Sequence, residues 1–123
     1  MILYIDTTVN KYIKIAFKKD GRIVIIKKIP ALYKQAEKLL PWLNKMLING
    51  NLKLNDIKKI IVNNRGGSFT SLRIGIITAN ALGFALNIPV VSSESELIKA
   101  NQADFNIIKP IYDREPSITI ENF

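Results

Sequence analysis

The first thirty residues carry apolar positions in a short run and then in alternation. Ile2 to Ile5 form a run that stops at Asp6-Thr7-Thr8, which predicts a first strand. Ile13, Ile15 and Phe17 then alternate with Tyr12, Lys14, Ala16 and Lys18, the period of a strand covered on one face. Asp20-Gly21 follows, a pair favoured in a type I′ hairpin turn, and Ile23 to Ile29 give a third strand. The pattern predicts an antiparallel meander.

After Pro30 the period changes. Leu32, Ala36, Leu39, Leu40, Leu43, Met46 and Leu47 fall three and four apart, so a helix is expected over Leu32–Ile48. Pro41 inside it removes a hydrogen bond and is expected to kink the helix or split it near Leu40. Asn49-Gly50-Asn51 ends it. Ile57 to Val62 reads as a short turn and a fourth, buried strand. Leu72 to Leu86 is helix-like, Asn87 to Pro89 stops it, and Pro89-Val90-Val91 starts a fifth short strand. Ser92 to Asn101 predicts a third helix, with Ser93 as cap and Glu94 and Glu96 in its first turn.

Three hairpin strands followed by strand–helix crossovers make an α/β chain of ribonuclease-H-like arrangement, the unit that actin-like (ASKHA) proteins duplicate. We expect a mixed five-stranded sheet with helices over residues 1–104. An extended tail, 105–123, should pack on that lobe.

Composition narrows the chemistry. The chain has 123 residues, no cysteine and no histidine, which removes disulfides, thiolate sites, imidazole bases and Ser-His-Asp triads. A reducing cytoplasm fits. The net charge of +8 invites a polyanion such as RNA, and competes with a plain bias towards Ile, Lys and Asn. No run reaches the roughly 18 to 20 apolar residues of a membrane span. The opening MILYIDTT reads as a strand, not a signal peptide.

The stretch NNRGGSFTSLRIG, residues 63–75, has the look of a phosphate loop. It lacks the lysine that a Walker loop needs after its last glycine, and the third glycine of a dinucleotide fingerprint. Two readings stay open. Gly66, Gly67 and Ser68 could leave amides pointing at an anion, or simply turn the chain into a helix capped by Ser68 or Thr70. Asp6, at the end of the first strand, is the residue best placed for metal or nucleotide work, with Thr7 and Thr8 beside it. The position expected to hold a second carboxylate is Asn63-Asn64, which weighs against a nuclease or phosphotransferase. Gly75, Ala79 and Gly83 form a smooth stripe along the later helix, fit for a close helix crossing within the chain or with a second protein.

The run GGSFTSLRIGIITANALGFALNIPVVSSESEL resembles the bacterial TsaB (YeaZ) family, whose pattern is close to GPGSFTGLRIG followed by a small-residue helix. IDTT resembles the family's IDTS, KQAEKLLPWLNKML its HSExLLPxIxxLL helix, and KPIYDREPSIT its tail. Departures fall at Arg65 and Gly66 (family glycine and proline), Ser71 (glycine) and Gln35-Ala36 (histidine and serine). Family members are nearly twice as long, so this looks like a shortened member lacking the second lobe.

The resemblance implies a noncatalytic scaffold for making threonylcarbamoyladenosine in tRNA. Its partners would be the catalytic subunit TsaD and the ATPase TsaE, with a homodimer when alone, tRNA reached through the complex, and no membrane. ATP would be used by the complex and not bound by this chain, which would take no cofactor and no metal. The family pairs through its first two long helices, so Ala36, Leu39, Leu40, Leu43, Met46, Leu47, Gly75, Ala79 and Gly83 are expected at the partner interface. Asp6, Thr7, Thr8, Gly66, Gly67 and Ser68 are then a possible anion or nucleotide remnant. The alternatives are a minimal nuclease or phosphotransferase using Asp6, or a general RNA-binding homodimer.

Overall fold

A computed structural model describes residues 1–93. Five strands, β1 (Ile2–Asp6), β2 (Tyr12–Lys19), β3 (Arg22–Pro30), β4 (Lys59–Val62) and β5 (Val90–Ser92), form one sheet in the order β3-β2-β1-β4-β5. β1, β2 and β3 are antiparallel neighbours, whereas β4 runs parallel to β1 and β5 parallel to β4. This is the mixed ribonuclease-H-like sheet that the pattern predicted. Its hairpin turns where expected, with Asp20 and Gly21 at φ 53° and 78°, the pair of positive angles a type I′ turn requires. Ser92, expected to open the third helix, instead ends β5; the remainder of that helix beyond Ser93 and the tail 105–123 lie outside the described residues.

Helices α1 (Gln35–Asn49) and α2 (Phe69–Leu86) are the two described crossovers. Strand alternation decides what they cover. Leu3, Ile5, Ile13, Ile15, Phe17, Ile60 and Val62 are fully buried and join Leu39, Leu43 and Met46 of α1 and Leu72, Ile76 and Ala79 of α2 in one core. Each such large side chain contributes roughly 1.5–3 kcal/mol by leaving water. By register, Tyr4, Ala16, Ile26, Ile61 and Val91 form a second apolar row on the sheet's opposite face.

Two expectations about helices are corrected. The first helix starts at Gln35, not Leu32, because Ala31 to Lys34 form a turn with Tyr33 at φ 58°, outside the helical region. Pro41 does not split it, and Gln35–Asn49 is one continuous helix with Pro41 exposed on its surface. One backbone bond is forgone and the buried stripe on either side holds the helix together. α2 is also long and apolar enough to cross a membrane, with 18 residues and a mean hydropathy of 1.4. Thr70, Ser71, Arg73, Thr78 and Asn80 interrupt its apolar positions, so no unbroken apolar run marks it in the sequence. Its Gly75–Ala79–Gly83 side lies on the sheet, so here it serves as the covering helix of an α/β layer.

Candidate partner interface and strand-end site

The end of β1 packs against the start of α2. Asp6 caps its own turn: one carboxylate oxygen accepts from the Thr8 amide at 2.8 Å and the Thr8 hydroxyl at 2.6 Å. Its other oxygen accepts from the Asn63 side-chain amide at 3.3 Å. Asn63 thus stands where a second carboxylate would help hold a metal, and it supplies a donor in place of a ligand. Among the described residues no group of three His, Cys, Asp or Glu side chains gathers to hold an ion. On the sheet's far face, burial and then the charge of Asp6 hold the Tyr4 hydroxyl above the usual tyrosine pKa.

The glycine stretch is built into the protein. Gly67 has φ 72°, and a Cβ there would lie 1.8 Å from the Thr8 carbonyl oxygen. The Ser68 amide donates to that same carbonyl at 3.2 Å, so it does not face an incoming anion. The Ser68 hydroxyl caps α2 by accepting from the Ser71 amide at 3.0 Å. Of the two readings left open by the sequence, the capped turn accounts for these contacts.

Thr7 goes further into α2. Its hydroxyl donates to the Ser71 carbonyl and accepts from the Gly75 amide at 3.1 Å, inserting a side chain into the helical ladder. A Cβ on Gly75 would meet Thr7 at 2.7 Å, and one on Gly83 would meet Val90 at 2.2 Å. The small-residue stripe therefore lets a helix settle on its own sheet.

This overturns most of the expected interface. Leu39, Leu43, Met46, Leu47, Gly75, Ala79 and Gly83 are all buried inside the chain. Ala36 and Leu40 alone among the nine face outward. The outward faces nevertheless carry apolar stripes of their own. Leu40 and Ile48, 51% and 67% exposed, flank Asn44 along α1; Ile77 and Phe84, 59% and 76% exposed, flank Ala81 along α2. Between the helices lies an open hollow of about 310 Å³, lined by Leu40, Asn44, Ile48, Leu52, Leu54 and Leu82 among others. α2 buries its small-residue side on the sheet and still carries Ile77 and Phe84 on the side away from it, among Arg73 and Asn80, so it has a second face to place against something. That signal was present in the sequence.

Gln35 was missed as a structural residue. It is buried, and its side-chain amide donates to the carbonyls of Thr7 (3.2 Å), Val9 (2.8 Å) and Tyr12 (2.9 Å), tying the β1–β2 loop to the start of α1. A lone polar residue one turn before Leu39, on the apolar face, was the available clue.

Comparison with known proteins agrees with this architecture. The model of the TsaD family, described as tRNA N6-adenosine threonylcarbamoyltransferase, matches residues 29–115. The tRNA threonylcarbamoyladenosine biosynthesis protein TsaB of Bacillus subtilis is 34% identical over 115 residues, which is 91% of this chain and 49% of that protein. The TsaB protein of Buchnera aphidicola subsp. Schizaphis graminum is 28% identical over 103 residues, 84% of this chain and 48% of its own. The solved structure of YeaZ from Pseudomonas aeruginosa superposes with a TM-score of 0.66 at 28% identity, covering 74% of this chain and 41% of that one. The chain spans about half the length of these relatives. A sheet of this order, the SFTSLRIG entry into α2 and an alignment running along nearly the whole chain show that the chain belongs to the TsaB (YeaZ) family.

Proposed function

We propose that this chain is a noncatalytic scaffold in the cytoplasmic formation of threonylcarbamoyladenosine in tRNA. It pairs with a TsaD subunit through the outward faces of α1 and α2. The observation that carries this is the double stripe of exposed apolar residues, Leu40 and Ile48 on one helix and Ile77 and Phe84 on the next. The match of the TsaD family model to residues 29–115 supports a lobe common to the two proteins. Helix faces related in that way can pair across a pseudo-twofold axis, as like surfaces do in isologous dimers. Alone, the same face would close a homodimer. TsaE and tRNA then join the pair, and ATP is handled by the complex and not by this chain. The nuclease alternative lacks support at the strand end, where Asp6 is engaged by Thr8 and Asn63.

The test is co-expression with a cognate TsaD, followed by size exclusion. Leu40→Asp and Ile77→Asp should abolish co-elution while leaving the thermal midpoint within a few degrees of the parent. Ala79→Leu is the contrasting control. Ala79 is fully buried, so overpacking there should cost about 1–3 kcal/mol of stability. Unchanged co-elution of both charged variants would remove the proposed face.

A further inference from the structure

The net charge of the chain is concentrated in one hairpin. From Tyr12 to Pro30 stand six basic residues and one acidic residue, a net of +5 in a chain of +8. A uniform bias towards lysine would spread that charge, and leaves this concentration unexplained. Register places Lys14 on β2 directly beside Lys28 on β3. Lys18 follows on the same face of β2, about 13 Å along the strand at four residues' rise. Like charges directly opposite on a sheet oppose its formation. Among the described residues none of these three lysines pairs with a carboxylate. Asp6, the cross-strand neighbour of Lys14, is engaged by Thr8 and Asn63.

Protection of a sheet edge accounts for part of this. Lysines on an exposed edge discourage pairing with other chains, and among the described strands β3 is such an edge, carrying Lys27 and Lys28. Lys14 and Lys18 lie on β2, an inner strand, and edge protection does not require them. The Lys28 ammonium rests 4.2 Å from the ring centre of Tyr12, which holds it on this same face. The outward stripes of α1 and α2 belong to the other layer, so an anion bound here leaves the proposed pairing face free.

We propose that the outer face of the β2–β3 hairpin, through Lys14, Lys18 and Lys28, binds the sugar-phosphate backbone of the tRNA. The inference rests on the tRNA-modification reading for the identity of the polyanion. Three lysine–phosphate contacts would release counterions and make binding steeply dependent on salt. The contacts position the RNA and read no sequence, as phosphate contacts do.

The experiment uses the chain together with TsaD. A triple variant, Lys14→Gln, Lys18→Gln and Lys28→Gln, is compared with Lys45→Gln, Lys53→Gln and Lys58→Gln, an equal loss of charge elsewhere. Binding to a tRNA transcript is measured by filter retention across a salt series. The hairpin variant should bind at least ten-fold more weakly at low salt. Its log–log salt slope should flatten by about two to three, from three lost contacts at roughly 0.7–0.9 each. The control should stay within about two-fold, since it removes no backbone contact. Equal losses in both variants, or no retention of tRNA by the parent complex, would overturn the proposal. So would a hairpin variant that keeps tRNA and loses only phosphatidylserine vesicles. Size exclusion on the same samples separates the two readings. Failure to pair with TsaD counts against the scaffold, whereas a hairpin-specific loss of tRNA binding supports this surface whether or not pairing occurs.

Discussion

Gly21 and Gly67 share a left-handed backbone and differ in their surroundings. Gly21 has φ 78° with nothing within 4 Å of a Cβ, whereas at Gly67 a Cβ would sit 1.8 Å from the Thr8 carbonyl oxygen. Gly21→Ala should therefore cost only the conformational penalty, about 1–2 kcal/mol. Gly67→Ala adds a clash with backbone that has no flexible end to swing aside, and should cost well over ~3 kcal/mol or refold the loop. Urea denaturation of the two variants checks this. Equal losses would mean that the glycine loop does not lie on the end of β1. At this scale the sequence showed which residues were unusual and left open what they touched. Two adjacent glycines before a helix fit an anion cradle as well as a tight turn. Only the direction of the Ser68 amide, into Thr8, separates the two. Gln35 was invisible for the same reason, since its three carbonyl partners are more than twenty residues away in the chain.

Strand alternation, the Asp20-Gly21 turn and the stop at Asn87 are local signals. The strands and the end of α2 are found within a residue or two of expectation, with Asn87 in the left-handed region at φ 58°, whereas α2 starts at Phe69, three residues before Leu72, because the Ser68 cap opens it there. The face each helix buries was less legible. In α1 the buried stripe followed the apolar period, yet the period cannot say whether a sheet or another protein covers it. In α2, with apolar residues on both its buried and its outward side, the small residues marked a close approach without naming the neighbour. Helix propensity taken apart from packing overstates the effect of Pro41. Leu39, Leu43, Met46 and Leu47 fix both halves of α1 to the sheet, and one lost hydrogen bond does not divide it. Pro41→Ala should therefore stabilise the chain by about 1–3 kcal/mol, by restoring an amide donor and relieving the ring's clash with the preceding turn. Chemical denaturation of the variant measures it. A neutral or destabilising result would show that Pro41 is accommodated by a bend the core depends upon.

At the scale of the whole molecule, the charge distribution predicts how stability responds to salt. Lys14, Lys18 and Lys28 share one sheet face with no carboxylate paired to them among the described residues, and the net charge is +8. Folding brings these cations together, and the unfolded chain lets them separate. Added salt screens the folded state more than the unfolded one, because the Debye length falls from about 30 Å at 0.01 M to about 8 Å at 0.15 M. The thermal midpoint should therefore rise across that range by a few degrees, the size of an effect near 1 kcal/mol in a domain of this length. The variant with glutamine at positions 14, 18 and 28 should begin with a higher midpoint at low salt and show a flatter rise. Glutamine keeps most of each side chain's packing, so a gain in midpoint would come from charge. Sodium chloride and sodium fluoride should act alike if screening is the cause, whereas specific anion binding would make them differ. A parent protein whose midpoint falls as salt is added would mean that attraction, not repulsion, dominates its surface charges. The lysine face would then be held by partners within the chain and not kept open for a polyanion.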